Sequence, residues 1–242
     1  VTYMECLEWF LAPTDLSGEN ARPDLAPDII NNSWACVPSE GCTNDVVDIL
    51  EYSVDNLKAS GVLVVVSAGN EGRDGCNSVK NPIAIYESSF TVGAIDWNDN
   101  LANFSSLGPV TRDSSNRLKP EVVAPGVFTY SATPNGRYGY KSGTSMSAPH
   151  IAGLAALVIS RYPELKGDVN RIEEIIQEIS SSINPDTFCI EAGLYPNAME
   201  GYGKPDLSLL EEVVSIDETE LVKGEYSIFP NPVSQILHIQ FE

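Results

Sequence analysis

The feature that most constrains the fold is a continuous apolar run at residues 61–68, GVLVVVSA. β-Branched residues without alternation are typical of a parallel strand that is buried on both faces. Residues 28–34, DIINNSW, predict a shorter strand. Between the two, residues 43–60 place apolar side chains every three or four positions behind a possible Thr43 cap, which predicts a helix. The pattern therefore predicts a strand, a helix and a second strand.

The same alternation continues along the chain. Residues 90–95 and 121–124 predict two more strands, residues 145–162 predict a long helix stopped by Pro163, and residues 168–180 predict a last helix with one apolar face. Alternating strands and helices predict an α/β fold, with an open, mainly parallel sheet flanked by helices. Ligands bind such sheets beyond the carboxyl ends of the strands, so the residues that follow the apolar runs are the candidates for function.

The composition excludes several classes of partner. The chain has 242 residues, with 34 Asp and Glu against 14 Lys and Arg, and therefore a net charge of −20. A chain this acidic is repelled by phosphate, so we expect neither nucleic acid nor anionic membrane as a partner. No apolar run is long enough to span a bilayer, and 43% hydrophobic residues suffice for a sizeable core.

The two ends of the sequence suggest a fragment. Val1 falls inside a helix pattern that covers residues 3–10, and no leader-like segment opens the chain. We therefore expect an upstream part that precedes Val1. At the other end, residues 1–210 read as one α/β unit, residues 211–224 as an acidic linker, and residues 225–242 as the start of a short β-type tail that stops without a closing turn.

The five cysteines match no zinc-binding spacing, because no C-x2-C pair occurs and His is almost absent. Cys36 and Cys42 lie six positions apart across a Pro- and Gly-containing loop and are the best local candidates for a disulfide, which an exported protein keeps. The pairing among Cys6, Cys76 and Cys189 stays open, and the odd count leaves at least one thiol that is free or paired outside this chain.

Residues 143–150, GTSMSAPH, carry the first candidate for chemistry. Ser145 stands where a turn enters a helix, near unpaired N–H groups and the positive end of the helix dipole, which suits a nucleophile and a developing oxyanion. The alternative is that Thr144 or Ser145 merely caps the helix. A lipase-type elbow is disfavoured, because it needs G-x-S-x-G and position 147 is Ser.

Four motifs together are more specific. The octapeptide, with residues 67–70 (SAGN), 104–109 (FSSLGP) and 119–126 (KPEVVAPG), resembles the subtilisin-like serine protease family, and the motifs occur in the order of that family. The resemblance covers residues 28–210. It implies the subtilisin-like α/β fold, an endopeptidase activity on protein or peptide substrates, and no cofactor; any structural calcium of the family would lie on the upstream segment, so no metal site is predicted here.

The resemblance also implies roles for individual residues. Ser145 would be the nucleophile and Asn70 would donate its side-chain amide to the oxyanion. Ser33, Trp34 and Ala35 would pair with the substrate backbone as an added strand, with Trp34 lining a side-chain subsite, and Ala68 and Gly69 would form a wall of the specificity pocket. Ala35 stands where the family usually has Gly, which adds a methyl group where the substrate backbone approaches.

A second specificity feature has two interpretations. Lys80 lies at about the place of the pocket floor in the family. If its side chain pointed inward, it would favour an acidic residue before the scissile bond. The ordinary interpretation is a solvated loop lysine.

The sequence lacks a base for the nucleophile. The family's triad needs an Asp and a His upstream of the oxyanion Asn, yet residues 1–69 contain no His. His150 follows Ser145 by five positions, about 140° around the helix, so it cannot face the nucleophile and is expected to be a packed side chain. His238 falls in the tail. Without a base a serine is a poor nucleophile, so we expect the Asp and His on the upstream segment; the alternative is an inactive, polypeptide-binding pseudo-protease.

Two weaker signals complete the sequence. Residues 229–232, FPNP, and residues 236–239, ILHI, are similar to the start of the C-terminal sorting domain of the type IX secretion route, which implies secretion machinery as a partner and a secreted or cell-surface location. The alternative is an edge strand of any β-sandwich. Residues 96–100 (DWNDN) have alternating oxygen ligands but lack the Gly and distal Glu of an EF-hand loop, so a turn is the preferred interpretation.

Overall fold

A computed structural model describes residues 2–36, 42, 44–183, 189 and 194–214 of the chain. Its central sheet has four parallel strands in the order β1-β2-β3-β4, with β1 at one edge. The strands are Ile29–Asn32 (β1), Leu63–Ser67 (β2), Phe90–Ile95 (β3) and Val122–Pro125 (β4). Every residue of β2 and β3 is buried, because the sheet is covered on both faces. The predicted open parallel α/β sheet is confirmed.

Helices cover both faces of this sheet. They are Thr2–Leu11 (α1), Asn44–Ala59 (α2), Thr144–Arg161 (α3), Val169–Glu178 (α4) and Leu210–Val213 (α5). Alternate residues of β2 pack on opposite sides: Val64 and Val66 share a core with α1 and α2, whereas Leu63 and Val65 share one with α3 and α4. This double coverage explains why the sequence of β2 has no polar face.

The boundaries predicted for the last long helices agree closely with the structure. The side chain of Asp168 accepts a hydrogen bond from the backbone N–H of Arg171 and caps α4. Four side chains of the predicted apolar face of α4, and Ile179 at its C-cap, are buried: Val169, Ile172, Ile175, Ile176 and Ile179. α5 begins at Leu210, the last residue of the predicted α/β unit, and extends into the predicted linker; its Leu210 is buried against Val158 and Ile175.

Two small antiparallel sheets were not predicted. Thr129–Thr133 (β5) and Arg137–Lys141 (β6) form a hairpin, and Ser180–Ser181 (β7) pairs with Lys204–Pro205 (β8). The structure also contains short 3-10 turns at Pro23–Leu25, Gly72–Asp74, Pro163–Leu165 and Leu207–Leu209. The hairpin matters for the site, because it lies between β4 and the start of α3.

Two disulfides are present. Cys36 pairs with Cys42, which confirms the predicted local bridge, and Cys76 pairs with Cys189 across 113 positions of sequence. Cys6 is a free, exposed thiol. The sequence left the second pairing open.

Several predictions fall on residues outside the described ranges. They are the Thr43 cap, most of the linker predicted from residue 211, and the whole tail with His238 and its resemblance to a sorting domain. Within the described ranges, no helix combines the length and the apolar character that crossing a bilayer requires.

Candidate active site

The turn that carries the serine is held by two glycines. The backbone N–H of Gly143 donates to the carbonyl of Gly126 at 2.8 Å, and the Gly143 carbonyl accepts from the N–H of Met146 at 2.9 Å. Gly126 admits no side chain, because a Cβ there would lie 2.2 Å from the Ser147 hydroxyl and 2.9 Å from the Gly143 carbonyl. Gly143 has φ 152°, a conformation that side chains rarely adopt. The G-T-S turn is therefore fixed by close backbone packing between β4 and α3.

Asn70 is bound to this turn through Thr144. The Asn70 Oδ1 accepts the backbone N–H of Thr144 at 2.9 Å and its hydroxyl at 3.2 Å. The Thr144 hydroxyl also bonds to the carbonyl and N–H of Gly69, at 3.1 and 3.2 Å. Because Oδ1 is occupied, the amide group of Asn70 is oriented with Nδ2 away from Thr144. Among the described residues Nδ2 has no hydrogen-bond partner, so it is available as a donor.

Ser145 occupies the first turn of α3 and is half-buried. The first N–H groups of a helix have no partner within the helix. Those of Thr144 and Met146 are bonded to Asn70 and Gly143, whereas that of Ser145 has no partner among the described residues. Two donors without a partner among the described residues, the Ser145 N–H and the Asn70 amide, therefore belong to residues at this turn. The structure places Asn70 and Ser145 at the same turn, because Asn70 is bonded to Thr144, the residue before Ser145.

The Ser145 hydroxyl faces the end of β1. Its Oγ donates to the carbonyl of Ser33 at 3.4 Å, and the Ser33 hydroxyl donates to the Ser145 carbonyl at 3.1 Å. A neutral carbonyl accepts a hydrogen bond but does not take the proton, so this contact orients the hydroxyl without activating it.

Residues 33–35 continue from β1 without a further paired strand in the described part of the chain. Trp34 Nε1 donates to the side chain of Asn32 at 3.0 Å, and the Tyr3 ring of α1 stacks on the indole with centroids 4.2 Å apart. One face of Trp34 is thus covered by Tyr3. Ser33, Trp34 and Ala35 are all half-buried, and Ser33 contacts Ser145.

Ala68 and Gly69 link β2 to Asn70. Ala68 is fully buried, and Gly69 has φ 107°. A Cβ at Gly69 would lie 2.5 Å from a carboxylate oxygen of Glu71 and 2.8 Å from the hydroxyl of Ser106. The position therefore requires glycine.

Glu71 is a site residue that the sequence interpretation missed. Its Oε2 accepts the Ser106 hydroxyl at 3.0 Å, and the same hydroxyl accepts the Glu71 backbone N–H at 3.0 Å. The signal was available, because Glu71 directly follows the SAGN motif. The carboxylate places a negative charge beside Gly69.

Lys80 does not point into the site, which corrects the inward interpretation. Its Nζ pairs with Asp74 at 2.9 Å, and the side chain is 48% exposed. The side-chain hydrogen bond to Asp74 is the main reason that the pKa of Lys80 is raised. The ordinary interpretation, a solvated loop lysine, is the correct one.

His150 is exposed rather than packed, which corrects the second half of its prediction. Its Nδ1 lies 2.8 Å from the carbonyl of Met146, one turn earlier in α3. No hydrogen bond joins it to Ser145 within the described part of the chain. The other histidine, His238, lies outside that part. No side chain among the described residues is therefore bonded to the Ser145 hydroxyl as a base.

In the loop after β3, hydrogen bonds from neighbouring residues occupy the carboxylate oxygens of Asp96. Asp96 Oδ1 accepts the N–H groups of Asn98 and Asn100 at 2.8 and 2.9 Å, and Oδ2 accepts the Asn100 amide at 3.1 Å. These bonds confirm the turn interpretation.

Within the described ranges, no group of three or more His, Cys, Asp or Glu side chains is arranged to hold a metal ion. A cleft of about 590 Å³ lies near Trp9 and Pro27, on the amino side of β1 and away from Ser145.

The parallel sheet, the serine at a helix start and the oriented asparagine define the class of the subtilisin-like serine peptidases. Comparison with known families gives the same result: residues 13–203 match the Subtilase family, and the chain belongs to it.

Two curated relatives illustrate the similarity. Bacillopeptidase F of Bacillus subtilis (strain 168) is 34% identical over 231 residues, which cover 93% of this chain and 15% of that protein. Subtilisin DY of Bacillus licheniformis is 41% identical over 135 residues, covering 55% of this chain and 46% of that protein. The chain thus spans less than half the length of these relatives.

Solved structures agree with the fold. A protease of Pseudoalteromonas arctica PAMC 21717 aligns with a TM-score of 0.61 and 23% identity over 88% of this chain and 59% of that one. At this level of identity the likeness concerns the fold alone.

Proposed function

We propose that the chain is the larger part of a serine endopeptidase domain that hydrolyses peptide bonds through Ser145. The observation that carries the proposal is the bond between Asn70 and Thr144. It fixes Asn70, whose side-chain amide has no hydrogen-bond partner among the described residues, to the residue before a serine whose backbone N–H also has none among them. A binding module has no need of this combination, whereas acyl transfer needs all three groups.

The chemistry assigns one task to each group. The Ser145 Oγ attacks the carbonyl carbon of the scissile bond, and its proton passes to a base. The carbonyl oxygen becomes an oxyanion that accepts hydrogen bonds from Asn70 Nδ2 and from the Ser145 backbone N–H. The protonated base then gives its proton to the departing amine, and water repeats the sequence to release the acid from the acyl-enzyme.

The base and its orienting carboxylate come from a segment upstream of residue 2 in this proposal. Two features support it. β1 is an edge strand among the described residues, and the chain that follows it lies next to the nucleophile. One face of α3 is exposed although it carries almost no charged side chains. Its residues are Pro149, His150, Gly153 and Leu157. Both surfaces suit further strands and helices of the same domain.

Substrate is held as an added strand along Ser33, Trp34 and Ala35. The half-buried backbone of these residues continues β1 toward Ser145, which supports the assignment. Ala68 and Gly69 form a wall of the pocket for the side chain before the scissile bond. No cofactor is required for this reaction.

We place the protein outside the cell or on its surface. The two disulfides support this location, because such bridges persist in oxidising compartments. The tail at residues 225–242 is the proposed contact with the type IX secretion machinery. Structural calcium, if the protein binds it, belongs to the upstream segment.

The test uses the chain together with its upstream segment. Ser145→Ala is expected to abolish hydrolysis of a casein substrate without changing the circular dichroism spectrum. Ser147→Ala is the matched control: its hydroxyl is buried without a hydrogen-bond partner in the described part of the chain, so its loss should leave turnover intact. An upstream gene sequence without an Asp and His pair, and an inactive parent, would favour the polypeptide-binding pseudo-protease instead.

A further inference from the structure

The hairpin β5–β6 is exposed on both faces. Tyr130 pairs directly with Tyr140 and its ring also contacts that of Tyr138, so one face carries three tyrosines, Tyr130, Tyr138 and Tyr140, which are 49, 51 and 68% exposed. The opposite face is polar and carries Arg137 and Lys141, which pair with Thr133 and Thr129. A two-stranded ribbon with so little cover gains little stability from packing, so its exposure calls for a functional explanation.

The charge on the polar face is unusual for this protein. The chain has a net charge of −20, yet no Asp or Glu occurs between Glu121 and Glu164. Most of the other described cations are ion-paired, as Lys58 is with Glu173 and Lys204 with Asp99. In the described ranges Arg137 and Lys141 have no ion-pair partner. The hairpin is therefore a local positive surface on a strongly negative molecule.

Both ends of the hairpin are hydrogen-bonded to the turn that leads into Ser145. The backbone N–H of Phe128 donates to the Ser142 hydroxyl at 2.9 Å, and Gly143 donates to the Gly126 carbonyl at 2.8 Å. The hairpin follows β4, whereas residues 33–35 follow β1, at the opposite end of the strand order. Ser33 contacts Ser145 and the hairpin ends contact Ser142 and Gly143, so a polypeptide paired with residues 33–35 that extends past Ser145 would approach the hairpin.

We propose that the polar face of the hairpin binds an acidic stretch of the polypeptide substrate, on the side of the scissile bond away from residues 33–35. This inference rests on the proposed function and names a substrate class for it. Arg137 and Lys141 lie four residues apart on one strand, about 13 Å in extended backbone. An extended peptide with two carboxylates four residues apart matches that separation. The net negative charge of the protein repels an acidic peptide, so the attraction to Arg137 and Lys141 acts against the overall electrostatic field. Added salt weakens this attraction.

The test measures binding without turnover. The Ser145→Ala chain, with its upstream segment, is titrated by fluorescence anisotropy with two labelled peptides that differ only in having Glu or Gln at two positions four residues apart. At low salt the Glu peptide is expected to bind roughly 3- to 10-fold more tightly, the range for two exposed ion pairs. Arg137→Gln with Lys141→Gln should remove the difference. Arg22→Gln with Lys166→Gln, an equal loss of charge at the amino side of the sheet, should keep it.

Three outcomes would overturn the inference: equal binding of the two peptides, an equal loss in the control, or binding that depends on Tyr140 but not on peptide charge. The last would assign the hairpin to apolar recognition. Failure of the proposed function is detected separately, by a hydrolysis assay of the protein that retains Ser145. If the proposed function is wrong, that protein hydrolyses neither peptide, even if it binds one of them more tightly. Hydrolysis of both peptides with no preference would overturn this inference alone.

Discussion

The side-chain oxygen of Asn70 accepts the backbone N–H of Thr144 at 2.9 Å, one residue before the candidate nucleophile. The bond joins the chain that follows β2 to the first turn of α3. Because an amide has one acceptor and one donor group, occupation of the oxygen determines where the nitrogen points. Within the described residues, the orientation of the Asn70 amide therefore depends on its hydrogen bonds to a single residue, Thr144.

Two substitutions at Asn70 separate its roles. Asn70→Ala should lower kcat by about 100- to 1000-fold with little change in KM, as loss of an oxyanion donor does in serine proteases of this kind. Asn70→Asp keeps the acceptor for Thr144 but loses the donor, so it should be at least as damaging. Steady-state kinetics of the complete protease provides the measurement. A rise in KM with unchanged kcat, or a tolerated Asp, would make Asn70 a binding or structural residue.

Thr144 should behave as a positioning residue. Thr144→Val removes the hydroxyl that bonds to Gly69 and Asn70, so reaction of Ser145 with a serine-directed probe should slow, and the free energy of unfolding should fall by about 1–3 kcal/mol because buried partners lose their bonds. Thr144→Ser keeps the hydroxyl and should restore both properties toward the parent. Equal behaviour of the Val and Ser variants would show that the hydroxyl has no such role.

The ion pair between buried Lys119 and half-buried Glu121 should be important for stability. Lys119 is 1% exposed, and its ammonium donates to Glu121 and to the Ser89 carbonyl, while Glu121 also accepts the N–H of Thr91 at 2.6 Å. Burial raises the pKa of Glu121, against the opposing effects of Lys119 and Thr91. Glu121→Gln leaves a buried ammonium without its counter-ion and should cost about 3–5 kcal/mol in urea unfolding. The double change Lys119→Met with Glu121→Leu should cost less than the single one; the reverse order would contradict the account.

We expect the stability of the loop around Asp15 to depend on pH. Hydrogen bonds from the Ser17 hydroxyl, the Asn20 amide and the Glu19 N–H lower the pKa of its carboxyl from 3.8 to about 2. A lowered pKa means that the stabilisation is present above about pH 3.8 and is lost as the pH falls through about 2. NMR titration of the Asp15 carboxyl should give a midpoint near 2, and Ser17→Ala should move it upward. A midpoint near 3.8 in the parent would show that the loop does not form these bonds.

The strands of the sheet were predictable because strands that are buried on both faces consist mainly of apolar residues. Residues 61–68 and 90–95 are apolar on both sides, and the structure buries β2 and β3 on both sides. Ser145 and Asn70 were candidates because each stands next to a predicted element, where a parallel sheet gathers its site residues, and the resemblance of four motifs to the subtilisin-like family implied their roles.

The hairpin was missed because neither of its faces is buried, so its alternation resembles a polar loop. Its turn did carry a signal: Asn135 and Gly136 both have positive φ, and Asn-Gly is a common hairpin turn. The bridge between Cys76 and Cys189 had no such signal, because their approach depends on the whole tertiary fold. The exposure of His150 likewise depends on what packs against α3, which its helical position does not specify.

The central claim is that Ser145 is a nucleophile whose base lies on the upstream segment. The most direct measurement is labelling with an active-site serine probe, followed by mass spectrometry of the modified peptide. Residues 1–242 alone should label only at the low rate that an oxyanion hole without a base supports, and addition of the upstream segment in cis or in trans should restore fast labelling at Ser145. Strong labelling of residues 1–242 alone at Ser145 would contradict this account, because it would show that a base lies within them.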